Sequence, residues 1–141
     1  MELADAAPFV SQHRQAVIVT MMTKNGEEIP HASNVIYAFD GQTFRVSVTD
    51  GRVKTDNLRR RPVAVMHVSS DDFWRWVAAE CEVQLSPVAS EPGDPTGQEL
   101  LALYQDVSGP HPNPDEFLQV MVDDNRLILR LTPTRVYGQL G

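Results

Sequence analysis

One cysteine, Cys81, is all the chain has, which excludes an internal disulfide and suits a reducing cytoplasm. No apolar run approaches the roughly 18 residues needed to span a bilayer, so no membrane association is expected. The first fifteen residues hold acids and no apolar stretch, so no signal peptide is expected either. Positive charge is scarce: 12 Lys and Arg face 19 Asp and Glu, for a net charge of −7 and a pI near 4.9. Counterion release on nucleic acid needs a broad basic face, and such a balance argues against it. Reactive motifs are missing as well. There is no Gly-x-Ser-x-Gly elbow, no Walker loop and no Gly-x-Gly-x-x-Gly turn. The four histidines, His13, His31, His67 and His111, show no metal-ligand spacing. Cys81 alternates within a strand-like run without an evident His partner, and Asp71-Asp72 and Asp123-Asp124 read as polar turns. An enzyme so poor in reactive side chains takes its chemistry from a cofactor.

What is present fits one domain over residues 1–141, with 42% hydrophobic residues. Helical spacing predicts a short first helix within Leu3–His13. β-Branched residues mark a strand over Ala16–Met22, ending at the hairpin signal Lys24-Asn25-Gly26-Glu27. Pro30 opens a second extended run, His31–Phe39, closed by Asp40-Gly41, and Thr43–Val48 forms a third. A short helix follows and must end before Pro62, which disfavours the helical region at Arg61. Two more strands, Val63–Val68 and Phe73–Leu85, flank Ser69-Ser70-Asp71-Asp72. Ser86–Pro95 reads as an exposed connector. Thr96-Gly97-Gln98-Glu99 has the form of a capping box before an apolar stripe of Leu100, Leu103, Tyr104 and Val107. Asn113-Pro114 starts another helix. A strand over Arg126–Thr132 and a tail, Pro133–Gly141, complete the chain. About six strands, the first three in hairpin succession, predict a mainly β, α+β fold: an antiparallel barrel with helices outside it.

Five of the 12 basic residues fall in ten positions, Arg52, Lys54, Arg59, Arg60 and Arg61. The stretch lies between two strands and carries a short helix, at whose start backbone N–H groups and the positive dipole end collect anions. Arg52 and Lys54 stand where extra positive charge is unfavourable unless an anion answers it, which suggests a phosphate held with Thr55 and Asn57. Arg59–Arg61 stand at the helix C terminus, where cations suit the dipole. His31, Ser33 and Asn34 gather short polar groups in one strand, fit either to bond a heterocyclic ring or to sit at an exposed strand end. Trp74 and Trp76, two apart on a strand, would share one face, and can pack in the core, stack on a planar ligand or meet a partner subunit.

Taken together, Pro30-His31-Ala32-Ser33-Asn34-Val35, the element Arg52-Val53-Lys54-Thr55-Asp56-Asn57-Leu58, Trp74-Arg75-Trp76 with Glu80, and Arg135-Val136-Tyr137-Gly138 resemble one family. It is the pyridoxamine-phosphate-oxidase-like split β-barrels, specifically the actinobacterial subgroup that binds the deazaflavin coenzyme F420. The likeness runs from about Phe9 to Tyr137. It implies a six-stranded split barrel and a homodimer with two cofactor clefts between subunits. It also implies that Arg52 and Lys54, with Ser47 and Asn57, take the cofactor phosphate, that His31, Ser33 and Asn34 run along the ring system, and that Trp74 and Trp76 come from the partner subunit. The activity implied is hydride transfer from reduced F420 to a conjugated small molecule. An FMN enzyme, including a true pyridoxamine phosphate oxidase, and a non-catalytic F420 carrier are the alternatives. F420 extends past the phosphate into a polyglutamate tail that Arg59–Arg61 would suit.

Overall fold

A computed structural model describes residues 1–141. The chain runs α1 (Leu3–Ser11), β1 (Gln15–Lys24), β2 (Glu27–Ile36), β3 (Ala38–Phe39), β4 (Phe44–Thr49), α2 (Val53–Arg60), β5 (Val63–Ser69), β6 (Trp76–Leu85), α3 (Pro95–Ser108), α4 (Pro114–Asp123) and β7 (Arg126–Gln139). No helix is long and apolar enough to cross a membrane. The strands form one sheet in the order β2-β1-β5-β6-β7-β4-β3, antiparallel throughout. It curls so that β2 and β4 approach without pairing, which leaves the barrel split along that seam.

Alternation closes the barrel. Ile18, Val46, Met66, Val77 and Leu129 point inward from five strands and are buried, each flanked by more exposed neighbours or by a second apolar layer. Tyr37 accounts for the seventh strand. Its hydroxyl donates to the Val10 carbonyl at 2.7 Å and its N–H to the Arg14 carbonyl at 2.8 Å. Anchored there, it breaks the expected run His31–Phe39 into β2 and the two-residue β3. On the outer face of β7, Ile128 joins Leu100, Leu103 and Met121 in a smaller core that seats α3 and α4.

The β1–β2 hairpin forms as expected: Lys24 pairs with Glu27, and Asn25 and Gly26 have φ of 52° and 78°, the two positive values a tight two-residue turn requires. Asn113 caps α4, its Oδ1 accepting from the Glu116 N–H at 3.2 Å, with Pro114 at the first helical position.

Four expectations need correction. The strand predicted from Phe73 begins at Trp76. Asp72 accepts from the Ser70 hydroxyl at 2.6 Å and the Trp74 N–H at 3.1 Å, and Phe73 adopts φ 73°, so the polar turn extends through Trp74. Trp74 and Trp76 therefore do not share a strand face. The tail continues β7: Pro133, which has no N–H to give, is tolerated at a bulge opposite Cys81, and pairing resumes to Gln139. The capping box at Thr96 gives way to Asp94, which accepts from the Gly97 N–H at 2.8 Å. Thr96 donates instead to the Pro87 carbonyl and Glu99 pairs with Arg130. Last, the Ser86–Pro95 connector is partly buried at Ser86 and Ala89, because it pairs along β7: Ala89 N–H reaches the Arg126 carbonyl at 2.8 Å.

Candidate functional site

The chain turns sharply after β4 at Asp50-Gly51, and α2 begins at Val53 with Arg52 as its N-cap. Arginine has no acceptor to offer there, and no side chain caps the helix, so first-turn N–H groups lack the partner that Ser, Asp or Asn would supply. Thr55 donates instead to the Thr49 carbonyl at 2.9 Å, tying the first turn to β4. Beside this corner lies a cleft of about 920 Å³ at the barrel seam. Its floor carries Asn34 and Ile36 of β2, Val17 of β1, Ser47 of β4 and Lys54 of α2. Leu103, Tyr104, Val107, Phe117 and Met121 of α3 and α4 form an apolar wall, and Arg126 stands at the start of β7. No aspartate or glutamate lines it, in a chain of net charge −7.

Burial, then the charges of Arg52 and Arg126, hold the Lys54 ammonium below its ordinary value. Arg126 Nη1 reaches only the Ser47 hydroxyl, at 3.5 Å, and its Nε is buried without a partner. Sequence reasoning missed Arg126 because it looks like the polar end of a strand after an Asp-Asp-Asn turn.

The predicted site residues separate into four groups. Asn34, Ser47 and Lys54 line the cleft together, while Arg52 stays exposed at the helix cap beside it. His31 and Ser33 lie on the opposite face of β2, in register with Thr20 and Ile18, and His31 Nδ1 and Ser33 Oγ are buried without partners. Asn57 does not reach the cleft. It is 3% exposed and its Nδ2 donates to the Thr20 hydroxyl at 3.0 Å, a polar pair that docks α2 on β1.

The tryptophans gather around a second, smaller cavity of about 360 Å³. Trp76 lies in register with Ser69 and Gln139, stacks on His67 with centroids 5.3 Å apart and meets Tyr137 edge-on at 6.0 Å. Trp74, 76% exposed, stands over the rim with Phe73. His67 and Ser69 line both cavities, which makes the aromatic shelf an extension of the cleft. In the sequence His67 stands out only as one of four histidines without metal-ligand spacing.

Arg59, Arg60 and Arg61 are engaged elsewhere, with Asp50, the Met21 carbonyl and Glu28. Cys81 is buried and its thiol is pushed up to about 12 by burial, too high for a nucleophile. Ser69 Oγ is 3.5 Å from His67 Nδ1, at the limit of a hydrogen bond, and no carboxylate in the cleft orients that imidazole. No three His, Cys, Asp or Glu side chains converge as metal ligands. The chemistry of the lining suits an anionic, partly aromatic ligand. The cleft offers cations and uncapped N–H groups at one end and flat apolar surface at the other.

Sheet order, seam and flanking helices define a split β-barrel. The family model described as pyridoxamine 5'-phosphate oxidase matches residues 4–140, and the chain belongs to that family. Among solved structures it is similar to an F420 reductase at 25% identity, with 88% of this chain and 89% of that one covered and a TM-score of 0.65. It is similar in fold to a conserved hypothetical protein of Mycobacterium tuberculosis, at 22% identity, 99% and 84% coverage and a TM-score of 0.72. The heme storage protein of Vibrio cholerae shares the fold at 13% identity, 99% and 96% coverage and a TM-score of 0.68.

Proposed function

We propose that the chain, acting as one unit over residues 1–141, is a reductase that uses reduced F420 and passes a hydride to a conjugated small molecule in the cytoplasm. The observation that carries this reading is the acid-free cleft with Lys54 and Ser47 at one end and an apolar, aromatic wall at the other. The similarity to an F420 reductase supports the choice of cofactor. Lys54 and Arg52, with the uncapped first turn of α2, would hold the phosphate, and Ser47 would donate to it. Asn34 would bond the ring edge. His31 Nδ1 and Ser33 Oγ are buried without partners but lie on the face of β2 turned away from this cleft, so they are not assigned a contact with the ligand held there. When bound, F420 supplies the hydride. The protein's part is to fix the ring against Val17 and Ile36 and to keep water from it with α3 and α4.

The engagement of Arg59–Arg61 favours FMN as the second reading, because the run suited to a polyglutamate tail is committed to other partners. Spectroscopic titration of the purified protein with both cofactors separates the two. Micromolar or tighter binding of F420 supports the proposal. Purification with stoichiometric FMN and no response to F420 overturns it.

A homodimer is part of the same proposal. Ile36, Val63 and Tyr137 are exposed on one face of the sheet, and Phe73 and Trp74 project at its edge, the aromatic and aliphatic surface that interfaces use. Light scattering should give about twice 15.7 kDa. Because Trp74 is already exposed, Trp74→Ala should leave the fold intact while lowering both dimer content and cofactor affinity. A wild type that is monomeric yet binds cofactor tightly would refute a shared cleft.

A further inference from the structure

We infer that Arg126 is an additional anion-binding residue of the cleft, whose guanidinium engages the phosphate of the ligand beside Lys54. The inference rests on the cofactor reading above and extends it to a residue on a different strand. Arg126 opens β7 directly after Asn125, whose φ of 52° reverses the chain from α4. It lies in register with Thr49, the last residue of β4, and so stands beside the corner from which α2 departs. Its backbone is fixed on both sides, by β4 and by the Ala89 N–H, so the side chain is presented from a rigid element.

Arg126 has no ion-pair partner. The five Arg ion pairs in the protein use Arg45, Arg59, Arg61, Arg130 and Arg135. Arg126 has a buried Nε with no acceptor and one long contact, 3.5 Å, to Ser47. An unsatisfied buried donor is costly, and here it lies close enough to Lys54 that the two cations disfavour each other. Both unfavourable features vanish if an oxyanion occupies the space that Arg126, Lys54 and Ser47 share at the end of the cleft. The planar fork of arginine suits two phosphate oxygens at once, which lysine cannot match. The shared chemistry is a phosphate ester on a planar heterocycle, whether the phosphomonoester of FMN or the phosphodiester of F420.

The test compares phosphorylated ligands with their phosphate-free counterparts. Wild type, Arg126→Met and Arg126→Lys are titrated by fluorescence with F420 and FMN, and with the deazaflavin riboside and riboflavin. Arg126→Met should weaken the phosphorylated form about ten- to a hundredfold and leave the phosphate-free form unchanged, with Arg126→Lys between. Without ligand, Arg126→Met should melt at or above the wild-type temperature, because it removes a half-buried guanidinium whose buried Nε has no acceptor. Equal affinity of wild type and Arg126→Met for the phosphorylated ligand overturns the inference. So does equal loss for both forms with a lowered melting point, which marks a structural arginine. If the wild type binds neither F420 nor FMN, the cofactor reading fails separately. The anion site is then judged by pyrophosphate: a melting-point rise lost in Arg126→Met supports it, and no rise, or a rise that persists in the variant, overturns it.

Discussion

Lys54→Ala is expected to weaken binding of the phosphorylated cofactor about ten- to a hundredfold, the effect of removing one charge-assisted hydrogen bond worth about 1.5–3 kcal/mol. Arg52→Ala should cost less, since Arg52 is exposed at the helix cap and works through screened solvent. The folded apoprotein should lose nothing in Lys54→Ala, because burial and two neighbouring cations already disfavour the ammonium. The same depression fixes the sign of a pH effect. An anion stabilises the protonated form, so the pKa is higher in the complex than in the free protein. Affinity is therefore full below the free-protein value and falls as pH rises through it, before the ordinary lysine range near ~10.4 is reached. Titrations at several pH values, in wild type and Lys54→Ala, measure it. A variant that binds the cofactor like wild type, or a wild-type affinity flat across the alkaline range, would place the phosphate elsewhere.

How much of this was legible in the sequence depends on how local each feature is. Strand alternation, the Asn25-Gly26 hairpin, the stop at Pro62 and the Asn113-Pro114 helix start are decided within a few residues, and the structure agrees with each. Trp74 failed for a local reason too: Asp72 outcompeted the period-2 pattern by bonding the turn that contains it. Pro133 was read as a strand end because a bulge is set by the partner strand, here at Glu80 and Cys81, which a single segment does not reveal. Asn57 looked like a phosphate ligand by spacing alone, and its partner Thr20 lies 37 positions away. The cleft is the least local feature of all. Ser47 and Arg126 are 79 positions apart, and they meet only because β4 and β7 pair. The motif around Arg52 and Lys54 marks the corner beside the cleft, while Ser47 and Arg126, which line the same end, belong to strands joined by topology.

Gly138→Ala should destabilise the protein by about 3 kcal/mol and lower its melting temperature by roughly 10 °C. Gly138 pairs with Val77 near the far end of the β6–β7 ladder. A Cβ at this position would lie 2.2 Å from the Trp76 carbonyl oxygen, 2.9 Å from Val77 Cα and 3.1 Å from the Trp76 carbonyl carbon. All three are backbone atoms, so no side-chain rotation relieves the clash, and the strands must separate. The separation falls beneath the stack of His67 and Trp76 and the edge contact of Tyr137, so the near-ultraviolet dichroism of Trp76 should change with it. Gly41→Ala supplies the control. Its φ of 97° disfavours any side chain, but nothing lies within 4 Å of the new methyl, so only the dihedral cost of about 1–2 kcal/mol remains. Thermal denaturation of both variants separates steric from dihedral effects. A Gly138→Ala protein that melts like wild type, with its aromatic dichroism intact, would mean that the end of β7 stands off β6 in solution and that the aromatic shelf is built differently.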